Sequence, residues 1–309
     1  MFVAFRRSLL LTLGCLLALS VYGQNKPTRS ELCIYRFATG ASQCILSTDQ
    51  HIEAPNWTPD GKFLIVNSGG KLYEVPLRKP ALRLIPTGEI ANVNNDHGVS
   101  PDGKTLVISA GHMYLAPRAG GTPKQVTDER PSYFHGWSPD GKTLSYCAKR
   151  GDNFDIYEIS VNGGAEQRVT AHPGHEDGSD YSPDGKWMYF NSDRNGSAEI
   201  WRVPAKGAFP RDESAELVVA GPRVEWFPHP SPNGKLLVYL SYPTGTTGHP
   251  ANKRVELRLI RLDGGKLLEQ TPRVLAVFTG GQGTINVNSW APDSAAFAYV
   301  RYEYPQTTR

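Results

Sequence analysis

The chain has 309 residues and a formal net charge of +3, and it contains 31 glycines and 24 prolines. This abundance of glycine and proline excludes a helical bundle or a coiled coil, because both residues interrupt long helices. The 14 Tyr, 11 Phe and 6 Trp provide ample material for a folded core, and a near-neutral chain without a basic block gives no basis for nucleic-acid binding.

Residues 1–23 have the pattern of a secretory signal peptide. Two arginines precede the apolar run 9–19, and small residues allow cleavage before Gln24. A lipoprotein anchored through Cys15 is the alternative. The apolar run is too short to cross a bilayer, and no other segment approaches about 18 apolar residues. The sequence therefore predicts a periplasmic or secreted protein with no transmembrane segment in the mature chain.

Two cysteines follow the leader within the first predicted strands. Cys33 and Cys44 flank the turn-like stretch 38–42, so they can face each other across a hairpin. An exported compartment permits a disulfide between them, and two buried thiols are the alternative. Cys147 lies in an apolar strand, where we expect an inert core residue.

One motif recurs six times along the rest of the chain. Its copies are WTPDGK at 57–62, VSPDGK at 99–104, WSPDGK at 137–142, YSPDGK at 181–186, PSPNGK at 230–235 and WAPDSA at 290–295. The motif prolines are spaced 42, 38, 44, 49 and 60 residues apart. A period of about 40–45 residues is typical of a propeller blade.

Each motif lies within the same local pattern of strands. A short strand precedes a tight turn in which proline fixes φ, aspartate bonds the local backbone and glycine supplies a positive φ; three further strands follow. The motif aspartates are thus predicted to be structural. The last motif is followed by one strand and the first is preceded by two, 32–37 and 44–47. We therefore predict an all-β, six-bladed propeller over residues 24–309, whose last blade has outer strands from the N-terminus and inner strands from the C-terminus.

The motif turns, the apolar strands after them and the count of six blades resemble the TolB-type periplasmic β-propellers over nearly the whole mature chain. This resemblance implies a six-bladed fold and an envelope location. A fainter resemblance is to oligogalacturonate lyases, propeller enzymes that act on acidic sugars with a divalent metal and carry His-Pro-His-Pro among the metal ligands. Here the stretch is Phe227-Pro228-His229-Pro230, so that His229 matches the second histidine and Phe227 stands in place of the first.

Blade geometry sorts the loops onto two faces. The motif turns mark one face, which we call the turn face, and the blade-to-blade connections lie on the opposite one, the connection face. All eight histidines fall in connections, in turns on the connection face or in innermost strands. Histidine is the side chain most often used in acid–base and metal sites, so this one-sided placement indicates a functional connection face.

Other polar residues gather on the same innermost strands, which converge on the propeller axis. We expect an axial funnel there. Its candidate ligand-binding residues are Asp96, His97, His135, Glu176, Asp177, Asp180, Glu225, His229, His249, Lys253, Asn286 and Asn288. His249 and Lys253 belong to the long loop 242–254, which is either a functional loop or a solvated insertion.

Three of the candidates form the predicted metal set. His97 and His135 stand four residues before their motif prolines, and His229 is one residue out of that register, which a β-bulge would restore. Together they are candidates for a divalent ion such as manganese, zinc or calcium, although no cofactor is firmly indicated. The alternative is that these histidines bond the backbones of neighbouring blades.

Two functions follow from these patterns. The first is an exported binding module whose funnel takes an envelope protein, a peptide or a saccharide. The sequence contains no nucleophile motif and no nucleotide-binding loop, which favours this function over an enzymatic one. The second is a metal-dependent saccharide lyase or hydrolase in which the histidines hold the ion and a neighbouring group removes a proton. The sequence leaves the catalytic residues undefined.

Overall fold

The computed structural model describes residues 26–207, 209–210, 212–269 and 271–305. The predicted leader 1–23, with Cys15, lies outside them. The first two strands of the described chain are β1 (Arg29–Arg36) and β2 (Ala41–Thr48), an antiparallel pair joined by a disulfide between Cys33 and Cys44. No helix among the described residues is long and apolar enough to cross a membrane.

The next four blades are four-stranded antiparallel sheets. The first consists of β3 (Ile52–Trp57), β4 (Phe63–Ser68), β5 (Lys71–Pro76) and β6 (Arg83–Ile85), and the second of β7 (His97–Val99), β8 (Thr105–Ala110), β9 (His112–Pro117) and β10 (Lys124–Gln125). The third consists of β11 (Ser132–Trp137), β12 (Thr143–Arg150), β13 (Asn153–Ser160) and β14 (Gln167–Arg168), and the fourth of β15 (Glu176–Tyr181), β16 (Trp187–Ser192), β17 (Glu199–Pro204) and β18 (Glu216–Val219). In each, the strand that precedes the motif turn is innermost.

The last two blades depart from this plan. The fifth contains β19 (Val224–Pro230), β20 (Leu236–Tyr242), the long β21 (Lys253–Asp263), the short β22 (Lys266–Leu267) and β23 (Arg273–Gly280). The sixth pairs β24 (Ala296–Glu303) with β1. Its innermost segment joins β24 through a bridge between Trp290 and Phe297. The N-terminal outer strands and C-terminal inner strands thus close the ring, which confirms the predicted six-bladed all-β fold.

The motif turns have the bonding that their sequence predicts. In the third blade, the hydroxyl of Ser138 donates to a carboxylate oxygen of Asp140 at 2.7 Å, and the backbone amide of Lys142 donates to the same oxygen at 3.1 Å. Gly141 has a φ of 70°, a value that glycine adopts without a steric cost. Four other turns repeat the hydroxyl contact, in the fifth blade with Asn233 as the acceptor. The last turn has Ala291 at the serine position and keeps the backbone contact, from Ala295 to Asp293 at 2.9 Å. The motif acids therefore act within the turns.

The apolar core is divided among clusters that lie between neighbouring blades. We call the residues two positions before the motif prolines the inter-blade ring: Trp57, Val99, Trp137, Tyr181, Pro230 and Trp290. All but Pro230 contribute to these clusters. Trp290, which is 3% exposed, packs between Phe37 and Phe297, with ring centroids 5.2 and 5.3 Å away. Its indole nitrogen donates to the backbone carbonyl of His229 at 2.9 Å.

Most innermost strands carry a β-bulge before the motif turn. One extra residue interrupts the pairing of β3, β11, β15 and β19, whereas β7 pairs with β8 without interruption. In three of these strands the residue five before the motif proline has a positive φ: Ala54, Gly178 and Phe227. A bulge redirects the side chains around it. These strands can therefore turn side chains toward the axis that a regular strand would bury between blades.

Candidate functional site

A cavity of about 540 Å³ opens on the connection face around the propeller axis. We call it the funnel. Its lining consists of Glu53, Asn94, Asn95, Asp96, Tyr133, His135, Cys147, Phe154, His175, Asp177, Phe227, His249, Gln282 and Asn286. Five of the twelve sequence-predicted residues meet there: Asp96, His135, Asp177, His249 and Asn286.

A single strand register supplies much of this lining. The residues six before the motif prolines are Glu53, Asn95, Tyr133, Asp177, Trp226 and Asn286, and all but Trp226 line the funnel. In the fifth blade Phe227 lines it instead, with a φ of 58°. A non-glycine residue in that conformation is strained. Four blades thus line the funnel from bulged strands, whereas the second and sixth blades each contribute an asparagine, Asn95 and Asn286, without a bulge in the described strand pairing.

The centre of the funnel is a carboxylate surrounded by three histidines. Asp177 accepts a 2.7 Å contact from Nε2 of His135 through one oxygen. Its other oxygen lies 3.6 Å from Nε2 of His175 and 3.5 Å from Nε2 of His249. The backbone amide of Gly178 also donates to Asp177, at 2.8 Å. Three histidines from separate segments thus converge on one acid.

The charges of this cluster stabilise one another. Burial by itself lowers the pKa of His135, but the Asp177 carboxylate outweighs it and raises that pKa to about 9. Burial in turn opposes ionisation of Asp177, yet His135 and the bonds from the two other histidines hold its pKa well below the usual range. The pKa of His175 is also raised, because Asp177 outweighs its burial. At neutral pH the funnel therefore contains an imidazolium–carboxylate pair.

Two further carboxylates face the funnel with amide partners. Asp96 accepts from Nδ2 of Asn94 at 2.6 Å and from Nδ2 of Asn286 at 3.5 Å. Glu53 accepts from Nδ2 of Asn95 at 3.2 Å and from Nδ2 of Asn67 at 2.9 Å. Burial raises the pKa of Asp96 to about 6, although His135 attracts its charge. Asp96 is therefore largely ionised at pH 7.

His97 is not in the funnel, although it shares the register of His135. It is fully buried, and neither ring nitrogen has a hydrogen-bond partner. Burial lowers its pKa to about 4, so the ring is neutral. The cause is the uninterrupted pairing of β7: His97 pairs directly with Ile108. In β11, by contrast, His135 is the extra residue of the bulge, between partners Phe134 and Gly136.

His229, Asp180 and Asn288 form a separate polar cluster deeper along the axis. The Nδ1 of His229 lies 3.0 Å from Asp180, and its Nε2 lies 2.7 Å from the carbonyl oxygen of Ile285. Asn288 donates to Asp180 at 2.8 Å. A bulge does precede His229, between Trp226 and His229. Both of its ring nitrogens are nevertheless occupied by protein partners.

Two predicted acids lie in ion pairs away from the funnel lining. Glu176 is fully buried and contacts Arg194, which also pairs with Asp212 at 2.7 Å. Glu225 is 1% exposed and lies 3.6 Å from Arg258. Burial raises the pKa of each glutamate to about 7, in spite of these arginines. Each ion pair joins segments of one blade, the fourth for Glu176 and the fifth for Glu225, which indicates a role in the internal structure of those blades.

The long loop divides its residues between the funnel and the outside. His249 reaches the funnel, where Nδ1 contacts the side chain of Gln282 and the ring lies 4.4 Å from that of Trp226. Lys253, at the start of β21, is exposed and does not line the funnel. The expectation that Lys253 reaches the funnel mouth is not met in this structure.

The predicted metal set is not assembled. Within the described ranges, no group of three or more His, Cys, Asp or Glu side chains is arranged to hold a metal ion. His97, His135 and His229 are separated by the bulge pattern, and the nitrogens of His135 and His229 are directed at protein oxygens. The histidines around Asp177 are likewise directed at that carboxylate. A metal held by the three predicted histidines therefore finds no support in the geometry.

Nine funnel residues were not among the sequence candidates: Glu53, Asn94, Asn95, Tyr133, Cys147, Phe154, His175, Phe227 and Gln282. Three of them, Glu53, Asn95 and Tyr133, stand six before a motif proline, the same register as Asp177 and Asn286. Comparing the blades at that register, rather than at the histidine register two residues later, would have found them. Phe154 lies at the start of β13, the third strand of its blade, and no repeat position marks it.

A second cavity, of about 360 Å³, lies at the other end of the axis. We call it the cup. Its wall contains the six motif prolines and the ring residues two positions before them, and its polar members include Asn56, Asp180 and Asn288. His135 lines both the cup and the funnel. The inter-blade ring therefore has edges that reach the axis on the turn face.

Comparisons with known proteins give one consistent family. The family profile described as TolB beta propeller domain matches residues 112–271. An uncharacterized protein of Agrobacterium fabrum is 43% identical over 287 residues, which are 91% of this chain and 94% of that protein. A solved structure from Agrobacterium tumefaciens described as a TolB has a TM-score of 0.84 at 43% identity, with 90% of this chain and 99% of that chain covered.

The Tol-Pal system protein TolB of Francisella tularensis subsp. holarctica is 28% identical over 252 residues. The match covers 73% of this chain and 54% of the relative, so the chain spans about half the length of that curated protein. An oligogalacturonate lyase in complex with manganese has a TM-score of 0.54 at 14% identity, with 92% of this chain and 99% of that chain covered. This likeness shows the propeller fold alone.

Proposed function

The chain belongs to the TolB β-propeller family, and on that premise we propose that it is an exported binding protein of the cell envelope. Its ligand is a peptide segment of another envelope protein, which enters the funnel on the connection face. The proposal extends to this chain the envelope system named for the relatives in Francisella. The predicted leader supports export.

The observation that carries the proposal is the convergence of unlike polar side chains in one open cavity. Each blade contributes at least one side chain to the funnel, and together these are acids, amides, histidines and aromatic rings. The residue type at the funnel register, six before the motif proline, differs between blades, whereas the motif turns repeat. A few fixed polar groups in a concave, partly aromatic site are typical of ligand recognition. Amide groups such as those of Asn95 and Gln282 can bond a peptide backbone in either direction.

The lyase hypothesis has less support. It required three histidines around a common point, and in this structure they contact Asp177, Asp180 or a backbone oxygen, or are buried between strands. The Asp177 pair is moreover an internally satisfied cluster. The Nε2 atoms of its three histidines already face the acid, so these atoms are not placed to take a proton from a substrate.

Site-specific photo-crosslinking tests the proposal. The photoreactive residue p-benzoyl-phenylalanine would replace Tyr133 in the funnel and, as a control, Lys142 on the turn face. Both variants would be expressed with the leader and irradiated in intact cells. We expect protease-sensitive adducts of defined mass at position 133 and none at position 142. Adducts of equal yield at both positions, or only at 142, would contradict the proposal, and protease-resistant, glycosidase-sensitive adducts would identify a saccharide instead.

A further inference from the structure

We propose that the funnel recognises a positively charged ammonium group of its ligand, through the carboxylates of Asp96 and Glu53. The inference rests on the proposed function and specifies the chemistry of what the funnel binds. An ammonium group can come from a lysine side chain or from a free amino terminus, and both present the same three donors to a carboxylate.

The first support is the unbalanced charge of these two acids. Among the described residues, no lysine or arginine lies within 4.0 Å of Asp96 or Glu53, and none lines the funnel. Within the described part of the chain, the one basic side chain within 4.0 Å of the Glu53 carboxylate is His51, whose Nε2 lies 3.8 Å from Oε1. Their direct partners are asparagine amides, which stabilise a carboxylate without neutralising it. A buried carboxylate of this kind is completed by a cation.

The second support is that the histidines of the funnel are already committed. His135, His175 and His249 all face Asp177, at 2.7, 3.6 and 3.5 Å. Their Nε2 atoms are directed at Asp177, so Asp96 has no direct histidine partner in the funnel, although the charge of His135 also attracts it. An anionic ligand would meet these two acids at the axis, and a cation would complement them.

The third support is the aromatic part of the lining. Tyr133 and Phe154, which are partly exposed, line the same cavity as the two acids, whereas Phe227 is fully buried at its wall. The face of an aromatic ring attracts an ammonium group, and acids combined with aromatic rings are a recurrent solution for binding amines. The alkyl part of a lysine side chain also packs on such rings.

The surface beside the funnel has room for the rest of a chain. A groove of about 590 Å³ between the fourth and fifth blades shares His175 and His249 with the funnel. Trp226 lies along it, with its ring 4.4 Å from that of His249. The remaining lining is mostly glycine, serine, threonine and proline, whose small side chains leave backbone groups accessible. A peptide whose ammonium group lies in the funnel can continue along this groove.

Peptide pools provide the test. Hexapeptides with uncharged randomised positions would carry lysine, norleucine or glutamate at one fixed position, each with an acetylated or a free amino terminus. Binding to the mature protein would be measured by fluorescence polarisation. We expect pools with lysine or a free terminus to bind about ten to a hundred times more tightly than the acetylated norleucine pool. The two arms show which source of the ammonium group the funnel prefers.

The matched variants are Asp96→Asn with Glu53→Gln, which keep size and hydrogen-bonding atoms, and Asp140→Asn on the turn face as control. In the double variant we expect pools with an ammonium group to bind about as tightly as the acetylated norleucine pool. In the control variant the ammonium pools should still bind more tightly. Equal melting temperatures would show that the double variant is folded. Each single variant, tested alone, retains part of the preference if both acids contribute.

The outcomes separate this inference from the proposed function. If the glutamate pool binds best, or if the double variant keeps the preference, the ammonium site is wrong while funnel binding stands. If no pool binds and position 133 gives no adduct in cells, the proposed function itself fails. If adducts form at position 133 without any preference for ammonium in the peptide pools, only the inference is overturned.

Discussion

The two ends of the propeller axis are built on opposite principles. The cup on the turn face is made of repeated positions: each blade contributes its motif proline and the residue two before it. The funnel on the connection face is made of positions at which the blades differ, so that glutamate, asparagine, tyrosine and aspartate occupy one register.

This difference shows which residues serve the fold and which serve a site. A residue type that recurs in every blade is explained by the geometry of the blade, as the motif turn is. A register that varies from blade to blade is not required by the blade. Burying charged groups at this register is energetically unfavourable, and the propeller fold does not require them there. We therefore assign a function to the funnel.

The largest expected effect is on the turn face. Trp290→Ala should lower the free energy of unfolding by about 3–5 kcal/mol, because it removes a buried indole from between Phe37 and Phe297. Urea denaturation measures this loss. Peptide binding in the funnel should be unchanged when it is measured without urea, at a temperature at which the variant is folded. A variant with native stability would show that the ring residue is not part of the inter-blade core.

A comparable test at the funnel is Asp177→Ala, for which we expect a loss of about 3 kcal/mol at pH 6. The variant leaves His135 buried without its counter-charge. Since the folded pKa of His135 is about 9, above its usual 6.5, the pair contributes fully below pH 6.5 and its contribution is lost as the pH rises through 9. The difference in the free energy of unfolding between wild type and variant should therefore decrease as the pH rises from 6.5 to 9. A constant difference would contradict the ion pair.

A smaller effect is expected at a motif turn. Asp140→Ala removes the acceptor of the Lys142 amide and of the Ser138 hydroxyl, and should cost about 1 kcal/mol. Funnel binding should be unchanged, because the turn lies at the other end of the axis. Loss of peptide binding together with intact stability would indicate that the turn face is the binding face and would reverse the comparison.

The smallest effect at neutral pH is expected for His97→Leu, within about 1 kcal/mol of wild type, since the substitution keeps volume and removes unpartnered nitrogens. The pH dependence should change more. The folded pKa of His97 is about 4, so the wild type loses stability as the pH falls from 6.5 toward 4. The variant should show a flatter profile there. An NMR titration of His97 near pH 6.5 would contradict the buried neutral ring.

Sequence reasoning predicted the fold because the motif repeats. Six copies at the period of a blade define the blades, and the odd strands at the two ends define the closure. Local turn chemistry was sufficient for this, without any knowledge of packing.

The site was predicted only in part, because bulges change which way a side chain points. His97 and His135 look identical by their distance from the motif proline. One extra residue in the pairing of β11 turns His135 toward the axis, and the uninterrupted β7 buries His97. The offset of His229 indicated the bulge of β19, but no residue pattern predicted the bulges of the other strands. Phe227, at positive φ, gave no signal either, since only glycine or asparagine would normally indicate that conformation.

The closure of the sixth blade sets an order in time. During synthesis β1 is made first and its partner β24 last, yet the two pair along their whole length, from Arg29 opposite Glu303 to Arg36 opposite Ala296. Contacts between such distant segments form slowly. The β1–β2 hairpin therefore keeps one edge unpaired until β24 is available, and the ring closes only after the other described strands have been made.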